Sequence, residues 1–311
     1  METDFVDWLL RRIPADARLE VPPGDDAAVL RPPALRRTVV TVDMLTEGVD
    51  FLLGPDCSPQ AVGHKALAVS LSDLAAMAAR PEAAVVAVAL PRTGGEELAR
   101  GIHEGLARLA AEHGVTLAGG DTNAWDGPLV VSVTALGSVA PGAAWRRDGA
   151  REGDLLVVTG ACGGSILGRH LAVTPRCRAA LELAAAFPVH AAIDVSDGLS
   201  LDLARMMAAS HTAAVVDLAA IPIHPDAVKL ASRDPAAGSP LDHALGDGED
   251  FELLLAMPPA AAHAAVDAAR PTRLGVPLTI IGEVVAGSGL FVRGDDGERR
   301  PLVPRGFVHQ F

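Results

Sequence analysis

The sequence predicts a mixed α/β protein of two domains. Three observations carry this. Strand-like and helix-like apolar runs alternate along the chain. The alternation breaks once, between Val139 and Asp154. Half of the 311 residues are apolar, enough for a substantial core, yet only 3% are aromatic and there is no Tyr, so Ala, Val and Leu must fill it. The break (VAPGAAWRRDGAREGD) is rich in Gly, Ala, Pro and charge and places a boundary near residue 145. It gives an N-terminal domain over 1–144 and a C-terminal domain over 145–311, and neither half shows a short-period repeat.

The elements follow in order. Residues 5–12 read as a short amphipathic helix and 37–43 as a β-branched strand. Over 61–79, Val62, Ala66, Val69 and Leu74 fall at helical spacing. AVVAVAL at 84–90 is a buried strand closed by Pro91, and 96–113 is a helix stopped by Gly114. Two strands follow at 115–118 and 129–136. Beyond the break, a strand at 155–159 enters the Gly-rich turn 160–164. Helix 174–186, strand 190–194, helix 200–210 and strand 213–217 come next. The Pro-rich stretch 221–240 reads as a loop, and strands 252–257 and 279–283 flank an Ala-rich helix at 260–269.

Net charge is -13, which argues against nucleic acid as the main partner, because binding a phosphate backbone needs clustered Lys and Arg. Cys57, Cys162 and Cys177 are widely spaced, odd in number and form no CxxC pair, so no disulfide framework is expected and the compartment is the reducing cytoplasm. The start carries early acidic residues and no long apolar segment, unlike a signal peptide. Apolar stretches stop short of membrane-spanning length, at Arg80 and at Pro258-Pro259.

The chemistry is written in aspartates. GDDAAVL (24–30), VVTVDML (39–45), VSLSDLAAM (69–77), LAGGDTN (117–123) and AAIDVSDGLSLDL (191–203) each end an apolar run at carboxylates flanked by Gly, Ser or Thr. A single such Asp is usually a turn former or helix N-cap, and Asp73, Asp121 and Asp202 each admit that reading. Repetition favours another: carboxylates gathered at the ends of rigid elements suit Mg²⁺, which takes oxygen ligands and keeps several waters. An acidic protein that handles phosphates needs such cations as intermediaries. There is no GxxxxGK[ST] loop, GxGxxG, kinase HRD or DFG set, HExxH or GxSxG. Gly163-Gly164 follows a strand and is able to approach a phosphate, a weak signal by itself. Arg147, in the hinge, is the best-placed arginine for a phosphate, although an exposed linker arginine is the simpler account. Elimination leaves metal-assisted phosphoryl transfer.

Motifs in order along nearly the whole chain resemble the thiamine-monophosphate kinases, of the aminoimidazole ribonucleotide synthetase-like superfamily. They are GDDAA (24–28), D-x-L-x-E-G-V (43–49), KALAVSLSDLAAMAARP (65–81), GGDT (119–122), RxGA (147–150), DVSDGLSLDL (194–203), GEDFEL (248–253) and GFVHQF (306–311). The resemblance implies a two-domain fold of mixed sheets flanked by helices, a homodimer joined through N-terminal sheets, and ATP and several Mg²⁺ in a cleft between the domains. It implies metal ligation by Asp26, Thr41, Asp43, Asp73, Asp121, Asp194 and Asp197, of which Asp43, Asp73 and Asp121 are catalytic. ATP would meet Gly120, Asp121, Arg147 and Ser196, and a small-molecule phosphate acceptor would meet Glu249 and Phe307. The reaction implied converts thiamine monophosphate and ATP to thiamine diphosphate and ADP. Three departures bear on the acceptor. Asp50 stands where the family has an acceptor-facing His, Asp247 replaces a Gly just before the GED run, and Phe307 replaces a Trp or Tyr. Asp50 and Asp247 raise two alternatives, a related ATP-using enzyme with another small acceptor and a nucleotide-binding paralogue without turnover.

Overall fold

Strands of ten to twelve residues and two long helices build the first of two compact units. The computed structural model describes residues 8–13, 16–21, 29–269, 274–293 and 298–308. Unit 1 comprises Met1–Leu74, Ala79–Ala143 and Leu171–Thr174, and unit 2 comprises Ala75–Ala78, Ala144–His170 and Pro175–Phe311. Unit 1 opens with a small ribbon, β1 (Leu19–Val21) against β2 (Val29–Leu30). Then come β3 (Arg37–Thr46), α1 (Pro59–Ala76), β4 (Arg80–Pro91), α2 (Gly95–His113), β5 (Thr116–Trp125) and β6 (Val130–Val139). The sheet order is β3-β6-β4-β5, with β4 and β5 parallel and the other pairs antiparallel. Alternation along β3 leaves Val40, Val42 and Met44 61–65% exposed, while Thr41 and Asp43 face the other way and are partly covered. α2 has Glu96 and Glu97 in its first turn, which suits the helix dipole, and ends at Gly114 with φ 64.

The two helices of unit 1 touch backbone to backbone. A Cβ on Gly63 of α1 would stand 2.0 Å from the Ile102 carbonyl oxygen, and one on Gly105 of α2 would stand 2.0 Å from the Gln60 carbonyl oxygen. Two tryptophans belong to this unit. Trp8 packs edge-on to His103 with Arg12 and Arg100 over its ring, and Trp125, on the edge strand β5, donates its indole N–H to Pro128 O at 2.9 Å.

Unit 2 is built on seven strands in the order β13-β12-β9-β11-β7-β10-β8, antiparallel except for β12 and β9. Its elements are β7 (Leu155–Thr159), α3 (Cys177–Ala186), β8 (Ala191–Val195), α4 (Leu199–Ala209), β9 (Ala213–Val216), α5 (Pro225–Arg233), α6 (Pro240–Gly246), β10 (Glu252–Met257), α7 (Pro259–Ala269), β11 (Leu278–Val285), β12 (Gly289–Arg293) and β13 (Arg299–Pro301). β8 and β10 are buried along their whole length, β10 as an interior strand and β8 at the edge of the sheet. Leu156, Val158, Ile193, Val195, Leu203, Met206, Leu254 and Ile281 form the centre of the core, and Trp145 is also buried in this unit. The expected loop at 221–240 holds a full helix, α5, and ends at the start of a second, α6. Two of its four prolines start helices rather than break them: Pro225 and Pro240 occupy first-turn positions, where a missing N–H costs nothing. His224 caps α5, and Ser239 and Asp242 form a capping box on α6.

Candidate active site

Unit 1 brings Asp43 and Asp73 together. β3 turns Thr41 and Asp43 toward α1, where Ser70 and Asp73 lie three residues apart and share a face. Ser70 Oγ donates to Asp43 Oδ2 at 2.6 Å, and Thr41 Oγ1 donates to Asp73 Oδ2. Burial, and then the charge of Asp73, pushes the Asp43 carboxyl up to about 6, with Ser70 pulling it back. Two carboxylates and two hydroxyls held this way form an all-oxygen donor set, which fits a hard divalent cation such as Mg²⁺.

A pH dependence follows. The folded pKa of Asp43 lies above its ordinary 3.8, so the folded state holds an extra proton between about 4 and 6. That contribution to stability is complete below pH 4 and is lost as pH rises through 6. Without Mg²⁺, the melting temperature of the wild type relative to Asp43→Asn is expected to fall over this window. Millimolar Mg²⁺ is expected to oppose the fall. Parallel melting curves with no divergence would contradict the coupling.

Asp121 does not join this pair. β5 lies three strands from β3, about 14 Å across the sheet. Asp121 is in register with Ala87, Ser132 and Met44, whereas Asp43 is in register with Val133, Val86 and Gly120. Asp121 is exposed, and Gly120 lies so close to β4 that a Cβ would stand 2.0 Å from Val86 O. Asp26 and the GDDAA run lie outside the described residues. Among the described residues, no three His, Cys, Asp or Glu side chains stand close enough to enclose a metal ion.

In unit 2 the turn from β8 into α4 gathers a second set. Asp202 Oδ2 accepts from the backbone N–H groups of Ser196, Asp197 and Gly198 at 2.9–3.1 Å, so this buried carboxylate builds the turn. Arg205 pairs with both Asp197 and Asp202. Glu249 donates its backbone N–H to Ser196 O at 2.6 Å, and Phe307 donates its own to Asp197 O at 2.9 Å. Ser196, Asp197, Glu249 and Phe307 thus share one turn, with Asp194 buried just before it at the end of β8 and the Phe307 ring 53% exposed. Arg147 is not among them. Its carbonyl accepts from Ser210 Oγ at the far end of α4, an 11-residue helix about 16 Å long.

The two consecutive glycines of the turn after β7 have their amides engaged. Gly163 N–H donates to both carboxylate oxygens of Asp250, at 3.0 and 2.8 Å, and Gly164 N–H donates to Asp247 Oδ2 at 2.8 Å. Asp250 is buried, and burial raises its carboxyl to about 7 against the opposing pull of Arg169 and Gly163. Asp50 is likewise engaged: its carboxylate accepts from Thr46 N–H at 2.7 Å, and its carbonyl accepts from the fully buried Lys65 Nζ at 2.5 Å. Sequence reasoning missed Ser70, Arg205, Arg169 and His243. Ser70 was within reach, because SLSD places it one helical turn before Asp73.

The fold and this all-oxygen, aspartate-rich chemistry define the class. Residues 24–139 match the N-terminal domain, and 132–295 the C-terminal domain, of AIR synthase related protein, and the chain belongs to that family. Within it, thiamine-monophosphate kinase from Rhodopirellula baltica is 43% identical over 317 residues, covering 99% of this chain and 97% of the relative. The crystal structure of thiamine-monophosphate kinase from Stenotrophomonas maltophilia K279a superposes with a TM-score of 0.80 at 36% identity over 96% of each chain. AaThiL complexed with AMPPCP and TMP gives 0.75 at 25% identity, over 98% of this chain and 94% of that one. The family resemblance carried by the motifs is thereby confirmed.

Proposed function

We propose that this protein is an ATP-dependent thiamine-monophosphate kinase, forming thiamine diphosphate and ADP. The observation that carries the reading is similarity along almost the whole chain to kinases of that name, one of them solved with an ATP analogue and TMP. Phosphoryl transfer asks for positioning and charge neutralisation rather than covalent chemistry from the protein. Within unit 1, Asp43 and Asp73, oriented by Ser70 and Thr41, supply oxygen ligands for a divalent cation, and within unit 2 Asp194 and Asp197 supply carboxylates of the same kind. A bound Mg²⁺ would neutralise phosphate charge. Unit 1 offers Gly120 and Asp121 to a nucleotide, and unit 2 offers Arg147 and Ser196 to phosphate, while Glu249 and the exposed Phe307 meet the acceptor, the ring stacking on its heterocycle. Asp50 and Asp247 are both held by backbone amides within their own units, from Thr46 and Gly164, so neither argues for a different acceptor. The test is an ADP-release assay with thiamine monophosphate, with and without Mg²⁺. Absence of turnover by folded, ATP-binding protein would defeat the reading.

Asp50 sharpens it. Asp50→Asn keeps an oxygen for Thr46 N–H and removes the charge. The KM for thiamine monophosphate is expected to stay within about twofold, because that charge is already engaged. A several-fold fall in KM would instead show the carboxylate repelling the acceptor.

The same reading includes a homodimer. Val40, Val42 and Met44 on the edge strand β3, with Val85 on β4, leave an apolar sheet face opposite the helices. Pairing two such faces buries it. Light scattering is expected to report about twice 31.9 kDa, and Val42→Lys to shift it toward the single-chain mass. A monomeric wild type would exclude the dimer. The free cysteines Cys57, Cys162 and Cys177, all buried, support a reducing, cytoplasmic setting.

A further inference from the structure

The loop joining α6 to β10 is held in a conformation its residues do not favour. Glu249 has φ 64 and Phe251 has φ 51, so two non-glycine residues flanking Asp250 sit in the left-handed region. Such residues are uncommon, and a bulky one is held there only when the surroundings impose it. The surroundings here come from two sides. On one side, Glu249 N–H and Phe251 N–H are anchored to Ser196 O and Val195 O at 2.6 and 2.8 Å.

On the other side the loop is clamped to the glycine turn after β7. Asp247 Oδ2 accepts from Gly164 N–H at 2.8 Å, Ser165 Oγ donates to Gly248 O at 2.7 Å, and Asp250 accepts from Gly163 N–H and from Arg169 Nη2 at 2.9 Å. The glycine turn is itself wedged against the two helices that precede the loop: a Cβ on Gly163 would stand 2.7 Å from Ala244 N of α6, and one on Gly164 2.4 Å from Ala227 N of α5. Asp247 is the hinge of the clamp. It follows the last residue of α6, where a negative charge opposes the helix dipole, so local electrostatics does not explain its presence. Both its oxygens are engaged, Oδ2 by Gly164 and Oδ1 by His243 Nδ1 at 3.1 Å. His243 is buried, and its Nε2 has no hydrogen-bond partner among the described residues, so the ring's polar contact is directed at Asp247.

We propose that Asp247 is a positioning residue: by tying the 247–251 loop to the Gly164 amide and to His243, it sets the left-handed turn that fixes Glu249 beside Ser196. This rests on the proposed kinase reading for the role of Glu249, but the clamp itself does not. Asp247 therefore acts as a tie that holds this loop rather than as an added charge in the acceptor site.

Two measurements on the full chain test it. Hydrogen–deuterium exchange on the ligand-free protein compares wild type, Asp247→Ala and Asp247→Asn. Asp247→Ala is expected to speed exchange of the 248–251 amides by about tenfold or more, while α4 and β10 stay protected, and Asp247→Asn, which keeps an oxygen for Gly164, to restore most of the protection. Steady-state kinetics should show Asp247→Ala raising KM for thiamine monophosphate about tenfold, with KM for ATP within twofold. If the wild type turns over thiamine monophosphate and Asp247→Ala leaves its KM unchanged, the positioning role is overturned, whatever the variant's melting temperature. If the wild type does not turn it over, the kinase reading fails and exchange alone decides: unchanged 248–251 protection overturns the clamp, and selective loss with Asn rescue upholds it.

Discussion

Asp73→Asn is expected to lower turnover by roughly 100- to 1,000-fold while leaving the fold intact, and Asp43→Asn to do the same. The two carboxylates are the only candidate ligands in unit 1 that the described residues bring side by side, through Ser70 and Thr41. Removing one charge halves what they offer a cation. It also relieves their mutual repulsion, so the protein without Mg²⁺ should melt no lower than wild type. The diagnostic result is a loss of kcat together with a weaker Mg²⁺ dependence, at unchanged or raised melting temperature. Near-normal turnover by Asp73→Asn would remove the pair from the mechanism. A large fall in stability would instead assign it a structural role.

Gly105→Ala is expected to be among the most destabilising single-methyl additions available in this chain. Alanine normally gains about 1 kcal/mol over glycine in a helix. Here its Cβ would fall 2.0 Å from Gln60 O, a backbone atom that moves only if α1 moves. Overpacking of this kind costs about 1–3 kcal/mol or more, so the net effect is a loss despite the propensity gain. Gly63→Ala meets Ile102 O at the same 2.0 Å, and since both substitutions push the same two helices apart, the pair should be less than additive. Because α1 carries Ser70 and Asp73, a surviving Gly105→Ala protein should also bind Mg²⁺ more weakly. Denaturant unfolding measures the first effect and a metal titration the second. A more stable Gly105→Ala protein would mean that the helices are free to separate at no cost.

What the sequence disclosed was local. The strand at 155–159 and the strand at 252–257 appear where the apolar runs place them, because a continuous run of Leu and Val can do little else in an interior sheet position. Helix α5 was hidden because Pro225 has opposite meanings at a helix start and in a helix interior, and only the cap by His224 separates them. The aspartates announced themselves by recurrence, yet recurrence did not sort them. Asp202 recurs in the same pattern and is spent on three backbone amides, while Asp121 recurs and lies on the opposite edge of the sheet from Asp43. The clamp on the 247–251 loop joins residues more than 80 positions apart, such as Gly164 and Asp247, and no spacing rule reaches across that distance. Its bonds to the glycine turn form only once the turn after β7 and the loop before β10 are brought together by the pairing of those strands.

A chain without tyrosine has an unusual optical property. Apart from the weak, short-wavelength emission of phenylalanine, its intrinsic fluorescence comes from indoles, and those indoles are divided between the units: Trp8 and Trp125 in unit 1, and Trp145, buried, in unit 2. A Trp8→Phe/Trp125→Phe double variant would leave one lamp, lit only from unit 2. Its red shift in denaturant would follow the opening of that unit, and backbone dichroism would follow the loss of secondary structure in the whole chain. Superimposed curves would mean a single cooperative transition, and separated curves would give each unit its own stability. The scarcity of aromatic rings that forces the core onto Ala, Val and Leu thus makes the protein its own site-specific thermometer, with no dye attached.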